Sequence, residues 1–245
     1  IDKKEDCCGC SACSQICPKE CISLKEDNQG FVYPVVDKTT CIECGLCEKI
    51  CPILNQREGR DSLSIYAAKN KNEEIREQSS SGGIFTLLAD KVISEGGVVF
   101  GARFDENWMV RHDYTETIEG LSAFRGSKYL QSIMGNSYQK TKDFLNQGRK
   151  VLFSGTPCQI AGLKKYLRKE YEHLLTIDII CHGVPSPLVW ENYIDNECKR
   201  LSAETITEIS FRDKTTGWKN FSLKLNINSS KDSNIISQIE PFRKN

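Results

Sequence analysis

The stretch CCGCSACSQICP, residues 7–18, recurs as CIECGLCEKICP, residues 41–52. Each copy reads C-x-x-C-x-x-C-x-x-x-C-P. Three closely spaced thiolates can converge on one iron–sulfur cubane, while the fourth cysteine reaches the other cubane. The repeat therefore assigns Cys7, Cys10, Cys13 and Cys51 to one 4Fe–4S cluster. It assigns Cys41, Cys44, Cys47 and Cys17 to a second. The small residues Gly9, Ala12 and Gly45 leave room for backbone N–H groups near the sulfurs, and Pro18 and Pro52 end each turn. Zinc, the competing reading of C-x-x-C pairs, needs four ligands in all, and two full four-cysteine runs with trailing proline fit it poorly. Cys8 and Cys21 fall outside the spacing and read as bystanders.

Working outward, ten of the 13 cysteines of this 245-residue chain precede residue 52. No export signal accompanies them, so metal ligands in a reducing, cytoplasmic setting are expected rather than a disulfide framework. A segment this small buries little core, and metal would supply much of its folding free energy. Lysine plus arginine number 33, as do aspartate plus glutamate. No global field thus draws the chain to nucleic acid or an anionic membrane. No apolar run has the length of a membrane span. The start at Ile1 and the stop after IEPFRKN suggest a fragment truncated at its C-terminus.

The expected fold class is an α+β two-cluster ferredoxin domain over residues 1–57, followed by an α/β domain with a mixed sheet over residues 65–245. CISL (21–24) and FVYPVV (31–36) are strand candidates within the first domain, and NQREGRDS (55–62) reads as a linker. Beyond it, IYAAKN (65–70) reads as a short strand. Apolar residues at helical spacing follow SSSGG (79–83), and GVVFGARF with WMVRHDY forms a hairpin pattern. A polar helix is expected around residues 136–147. VLFS (151–154) and LLTIDII (174–180) are buried strands, each running into a helix, and this alternation argues for parallel pairing. After Thr205 the pattern turns strand-like again.

Two later cysteines are placed alike. Cys158 follows VLFS with Pro157 at the first turn of the next helix, and Cys181 follows LLTIDII. Both lie at carboxyl ends of strands, where open α/β sheets place ligands, and a helix N-terminus favours a thiolate. Two buried core cysteines remain the alternative. Glycines and hydroxyls at a helix start suit an anion, which makes Ser80, Ser81, Gly82 and Gly83 candidates for holding phosphates. Gly126, Ser127 and Lys128 offer a second loop of the same chemistry, with Lys128 read as a mobile charge. Ser and Gly are also ordinary helix-start residues. No G-x-G-x-x-G follows a strand, and GLSAFRGSK lacks the Lys–Ser/Thr pair of a phosphate loop. Cys181–His182 lacks an orienting acid, while His112, His173 and Cys198 read as packing or incidental residues.

SSSGGIFTLLA, GSKYLQS, FSGTPCQIAGLKKYL and IDIICHGVPSP together resemble the coenzyme F-420 hydrogenase/dehydrogenase beta-subunit family, in its bacterial branch with a fused two-cluster ferredoxin. The resemblance implies an α/β flavoprotein domain that binds FAD and a further 4Fe–4S cluster. It implies Cys158 and Cys181 as ligands of that third cluster, whose other ligands would lie in a longer chain. It also implies electron passage between clusters, flavin and coenzyme F-420 or another small-molecule acceptor, with hydrogenase or dehydrogenase subunits or another redox protein as partners. A ferredoxin-type relay without its own flavin is the alternative.

Overall fold

The computed structural model describes residues 3–56, 59, 61–215, 217–229 and 232–241. The expected boundary at residue 57, parts of the 55–62 linker and the last four residues lie outside them.

The duplication in sequence is a duplication in backbone. Helix α1 (Ala12–Ile16) starts after Ser11 at φ 61, and α2 (Leu46–Lys49) starts after Gly45 at φ 67. Gly9 and Glu43, equivalent in the repeat, also take positive φ, 64 and 51. Left-handed residues cost little for glycine and more for serine or glutamate, so their recurrence marks a turn that both copies of the repeat impose. Between the helices, β1 (Ile22–Glu26) pairs antiparallel with β2 (Val32–Val36), Ile22 opposite Val36. The turn between them is closed by Asp27, whose Oδ1 accepts from the N–H groups of Gln29 and Phe31, both at 2.9 Å.

The second region is built on a four-stranded mixed sheet. Short α3 (Glu73–Glu77) is capped by Asn72, and α4 (Ile84–Ser94) follows the SSSGG segment as expected. Strands β3 (Val98–Phe104) and β4 (Val110–Thr115) form the hairpin, with Asp105 closing its turn. Helix α5 (Ser137–Asn146) leads to β5 (Val151–Gly155), α6 (Pro157–Leu167), β6 (Leu174–Asp178) and α7 (Pro187–Leu201). The strand order is β4-β3-β5-β6; β3, β5 and β6 run parallel and β4 antiparallel. Every residue of β5 is buried, as a central parallel strand requires. Three further strands, β7 (Ala203–Asp213), β8 (Ser222–Ser229) and β9 (Asp232–Pro241), form an antiparallel sheet.

One expected strand does not form. Residues 65–70 take no regular structure, and Ile65 and Tyr66 are exposed. Strand propensity needs a neighbouring backbone to take up its N–H and C=O groups. Here only Asn70 is anchored, its N–H on Gly82 O at 2.6 Å and its amide on Gly83 O at 3.2 Å.

The two regions share a core. Cys10, Ala12 and Ile50 pack in one apolar cluster with Phe100, Phe153 and Leu163 of the sheet domain. Each large side chain fully buried there contributes about 1.5–3 kcal/mol. Polar contacts fix the fit: Gln15 Oε1 accepts from Tyr138 N at 3.0 Å, and Gln131 Oε1 from Val32 N at 3.2 Å. Gly30 approaches α7 so closely that an added Cβ would lie 2.1 Å from Leu188 Cβ.

Candidate iron–sulfur and cofactor site

The four thiols expected at the first cluster, Cys7, Cys10, Cys13 and Cys51, line one cavity of about 560 Å³. Its other walls include Ile22, Val35, Pro52 and Leu54, which give an apolar surround. Burial raises the Cys13 thiol to about 11, with the nearby Cys7 charge adding to the effect, and burial likewise raises Cys7. Cys8 and Cys47 border the same cavity. Among the described residues no three His, Cys, Asp or Glu side chains are grouped to hold one metal ion. A cubane asks for something else, one thiolate on each of four irons, and its ligands stand around the cluster rather than around a point. A cysteine-only donor set in an apolar cavity suits it.

At the second site Cys17 and Cys41 are brought near each other, with Cys21 between them. Cys44 is exposed just before α2, and Cys47 is half-buried within α2, on the wall of the first cavity. Cys21 falls outside the spacing of the repeat, yet its Sγ lies 3.3 Å from Cys17 Sγ.

Cys158 and Cys181 leave the same edge of the sheet, since Gly155 of β5 stands opposite Asp178 of β6. The structure does not pair their thiols. Cys158, in the first turn of α6, lies 3.2 Å from Thr156 Oγ1 and faces Cys8. The Cys8 thiol, followed by burial, pushes the Cys158 thiol up. Cys8 is itself pushed up to about 12, first by its hydrogen bond with Cys10. Cys181 is exposed, and its sulfur accepts from Gly183 N at 3.4 Å. Cys8 thus bridges the ferredoxin region and the GTPCQ turn. Its place immediately after Cys7 is the one sequence signal for that role.

The GTPCQ turn is held from behind. Thr156 N donates to Gln159 Oε1 at 2.9 Å in a capping box, and buried Tyr138 donates its hydroxyl to Gln159 O at 2.9 Å. His112 is buried beside it and stacks on Phe153. Its Nε2 faces Ser154 O at 3.0 Å, so that nitrogen carries the proton, and Nδ1 accepts from Ser132 Oγ at 2.7 Å. Burial lowers its pKa to about 4, and the ring is a neutral, satisfied packing group.

The two candidate phosphate loops meet. Ser127 donates from its backbone N–H to Ser80 Oγ at 2.6 Å, and the two hydroxyls lie 2.9 Å apart. Both residues line a cavity of about 400 Å³ with Ser79, Arg125, Gly126 and Lys128. Lys128 is tethered rather than mobile. Its Nζ donates to Arg125 O at 2.9 Å and Gly126 O at 3.2 Å and lies 5.8 Å from the Phe104 ring centroid. Burial lowers its pKa to about 8. Ser81 is exposed. Gly82 and Gly83 face the 68–70 segment; a Cβ on Gly82 would lie 2.6 Å from Ala68 O, and Gly83 takes φ 74 to open α4. Their lack of side chains is explained by packing and the helix start.

No helix among the described residues is long and apolar enough to cross a membrane. No curated protein matches the chain significantly. Among solved structures, it is similar to a chain of the xenon-derivatized F420-reducing [NiFe] hydrogenase complex from Methanosarcina barkeri, with 18% identity and a TM-score of 0.45. The match covers 70% of this chain and 58% of that one, so this chain spans less than two thirds of its length. Residues 6–54 match a 4Fe–4S dicluster domain, and residues 36–81 match the 4Fe–4S single cluster domain of ferredoxin I. Residues 65–138 match the N-terminal part of the coenzyme F420 hydrogenase/dehydrogenase beta subunit, and residues 148–244 match its C-terminal part. The chain therefore belongs to the coenzyme F420 hydrogenase/dehydrogenase beta-subunit family, with a 4Fe–4S dicluster region at its N-terminal end.

Proposed function

We propose that the chain is an iron–sulfur flavoprotein oxidoreductase subunit that passes electrons between two 4Fe–4S clusters, FAD and coenzyme F420 or another small-molecule acceptor. The observation that carries the flavin is the meeting of Ser80 and Ser127 at one cavity with Arg125 and Lys128. Two cationic side chains and two hydroxyls suit a diphosphate, and Phe104 and Phe211 supply aromatic surface at the same cavity. A bound flavin would take a hydride's electrons as a pair and pass them singly to one-electron clusters. Cys7, Cys10, Cys13 and Cys51 would hold one cluster, and Cys17, Cys41, Cys44 and Cys47 the other. Cys158 and Cys181 are proposed as ligands of a third cluster. Hydrogenase or dehydrogenase subunits or another redox protein would be the partners.

The relay reading, in which the sheet domain holds no flavin, draws on a different observation. Glu77, Glu208 and Asp213 border the same cavity and oppose an anionic ligand. Reconstitution with FAD, desalting and fluorescence of the released cofactor separates the two. Retention of about one flavin per chain with the clusters intact supports the first reading, and clusters without flavin support the relay.

A further inference from the structure

Cys21 is the one thiol of the ferredoxin region with neither a place in the repeat nor a role at the GTPCQ turn. It is 7% exposed, and the three apolar clusters are built from other residues. Its surroundings are thiols. Cys17 Sγ lies 3.3 Å away, and Cys41 is close enough to act on its thiol. These are two of the four residues expected at the second cluster.

The backbone holds Cys21 there. Glu20, at φ 51, turns the chain after Pro18 and donates its N–H to Cys17 O at 3.1 Å. Cys21 O accepts from Asp37 N at 2.8 Å, and Asp37 O accepts from Cys41 N at 3.1 Å. Asp37 is fixed in turn by Thr39 and Thr40. Cys21 and Cys41 are therefore linked by two successive main-chain bonds, at the point where β1 begins against the end of β2. A core cysteine would need apolar neighbours rather than this frame.

We propose that Cys21 is a reserve ligand of the second cluster site, standing beside Cys17 and Cys41 and able to take the place of Cys17 on iron. This rests on the two-cluster reading. The exchange is a ligand substitution with no change of oxidation state. The Cys21 S–H bond breaks and gives its proton to solvent, an iron–sulfur bond forms, and the bond from iron to Cys17 breaks as that sulfur takes up a proton. With all ligands in place, the Cys21 thiol is a hydrogen-bond donor to the Cys17 sulfur, and donors to cluster sulfurs raise the reduction potential.

The test uses the full chain, purified anaerobically, with iron and sulfide analysis and electron paramagnetic resonance of the reduced protein. Wild-type protein should hold about eight irons. Cys17→Ala should keep close to that number, and Cys17→Ala/Cys21→Ala should lose the second cluster or fall to a three-iron form. Equal iron loss in the single and double variants overturns the proposal while leaving the two-cluster reading intact. A wild-type protein without iron overturns the reading itself. Should Cys17→Ala fail to fold, Cys21→Ala decides, because it keeps all eight expected ligands. It should hold about eight irons and lower the midpoint potential of one cluster only. Unchanged potentials for both clusters overturn the proposal.

Discussion

Ser127 N–H reaches Ser80 Oγ at 2.6 Å across 47 residues of chain, and this bond joins the start of the α4 segment to the loop that carries Lys128. Removing the acceptor in Ser80→Ala leaves a half-buried N–H without that partner. Such a loss costs about 1–3 kcal/mol. The melting temperature should fall by a few degrees, and FAD retained after desalting should fall with it. A variant with wild-type stability and flavin content would show that the bond does not shape the cavity.

If the cavity holds the proposed flavin, Lys128 should make its retention dependent on pH. Its ammonium loses its charge as pH rises through about 8, earlier than an ordinary lysine at 10.5. An anionic cofactor should therefore be held less well at pH 9 than at pH 7, and Lys128→Arg should flatten that profile, since arginine stays charged. The stability effect runs the other way. Between about 8 and 10.5 the folded state binds fewer protons at this group than the unfolded state does, so its contribution to stability rises with pH. Fluorescence of released flavin and thermal melts across the range check both signs.

Cys10→Ala should reduce iron from about eight atoms per chain toward four, the content of one remaining cluster. Cys10 also packs with Ala12 and Ile50 in the core shared with the sheet domain, so the loss should extend to tertiary structure there. Iron analysis and near-ultraviolet circular dichroism report on the two effects separately. Full iron content in the variant would remove Cys10 from the ligand set.

Gln15→Ala should loosen the junction between the two regions without touching a thiol. Gln15 Oε1 accepts from the N–H groups of Tyr138 and Gln139 at 3.0 and 3.4 Å, serving as a cap for α5 from another segment. Losing a cap costs about 0.5–2 kcal/mol. Hydrogen exchange should speed up at the first turn of α5 while iron content stays unchanged. Unaltered exchange would show the contact to be incidental.

How much of this was readable from sequence depends on the range of the contact. The cysteine repeat is local, and its spacing alone groups Cys7, Cys10, Cys13 and Cys51; the cavity they line also takes in Cys8 and Cys47, which the spacing does not place there. The placement of Cys158 and Cys181 after neighbouring parallel strands also follows from local strand–helix alternation. Thiol direction does not, because it depends on what packs against each turn. Cys158 faces Cys8, and Cys181 faces solvent. For the same reason, the surroundings of Cys21 and Cys8 are not legible in the sequence. The Ser80–Ser127 bond joins distant segments, and each loop taken singly looks like an ordinary helix start or turn. The strand expected at 65–70 failed because composition cannot supply a pairing partner.

The common core of Ala12 and Ile50 with Phe153 also bears on how fast electrons can cross the molecule. A freely diffusing ferredoxin must find its acceptor, and salt that screens surface charge slows the encounter. Here the two regions are parts of one packed body. On the proposed reading, crossing from the N-terminal clusters to the sheet domain would be a first-order event, with a rate independent of protein concentration and nearly so of ionic strength.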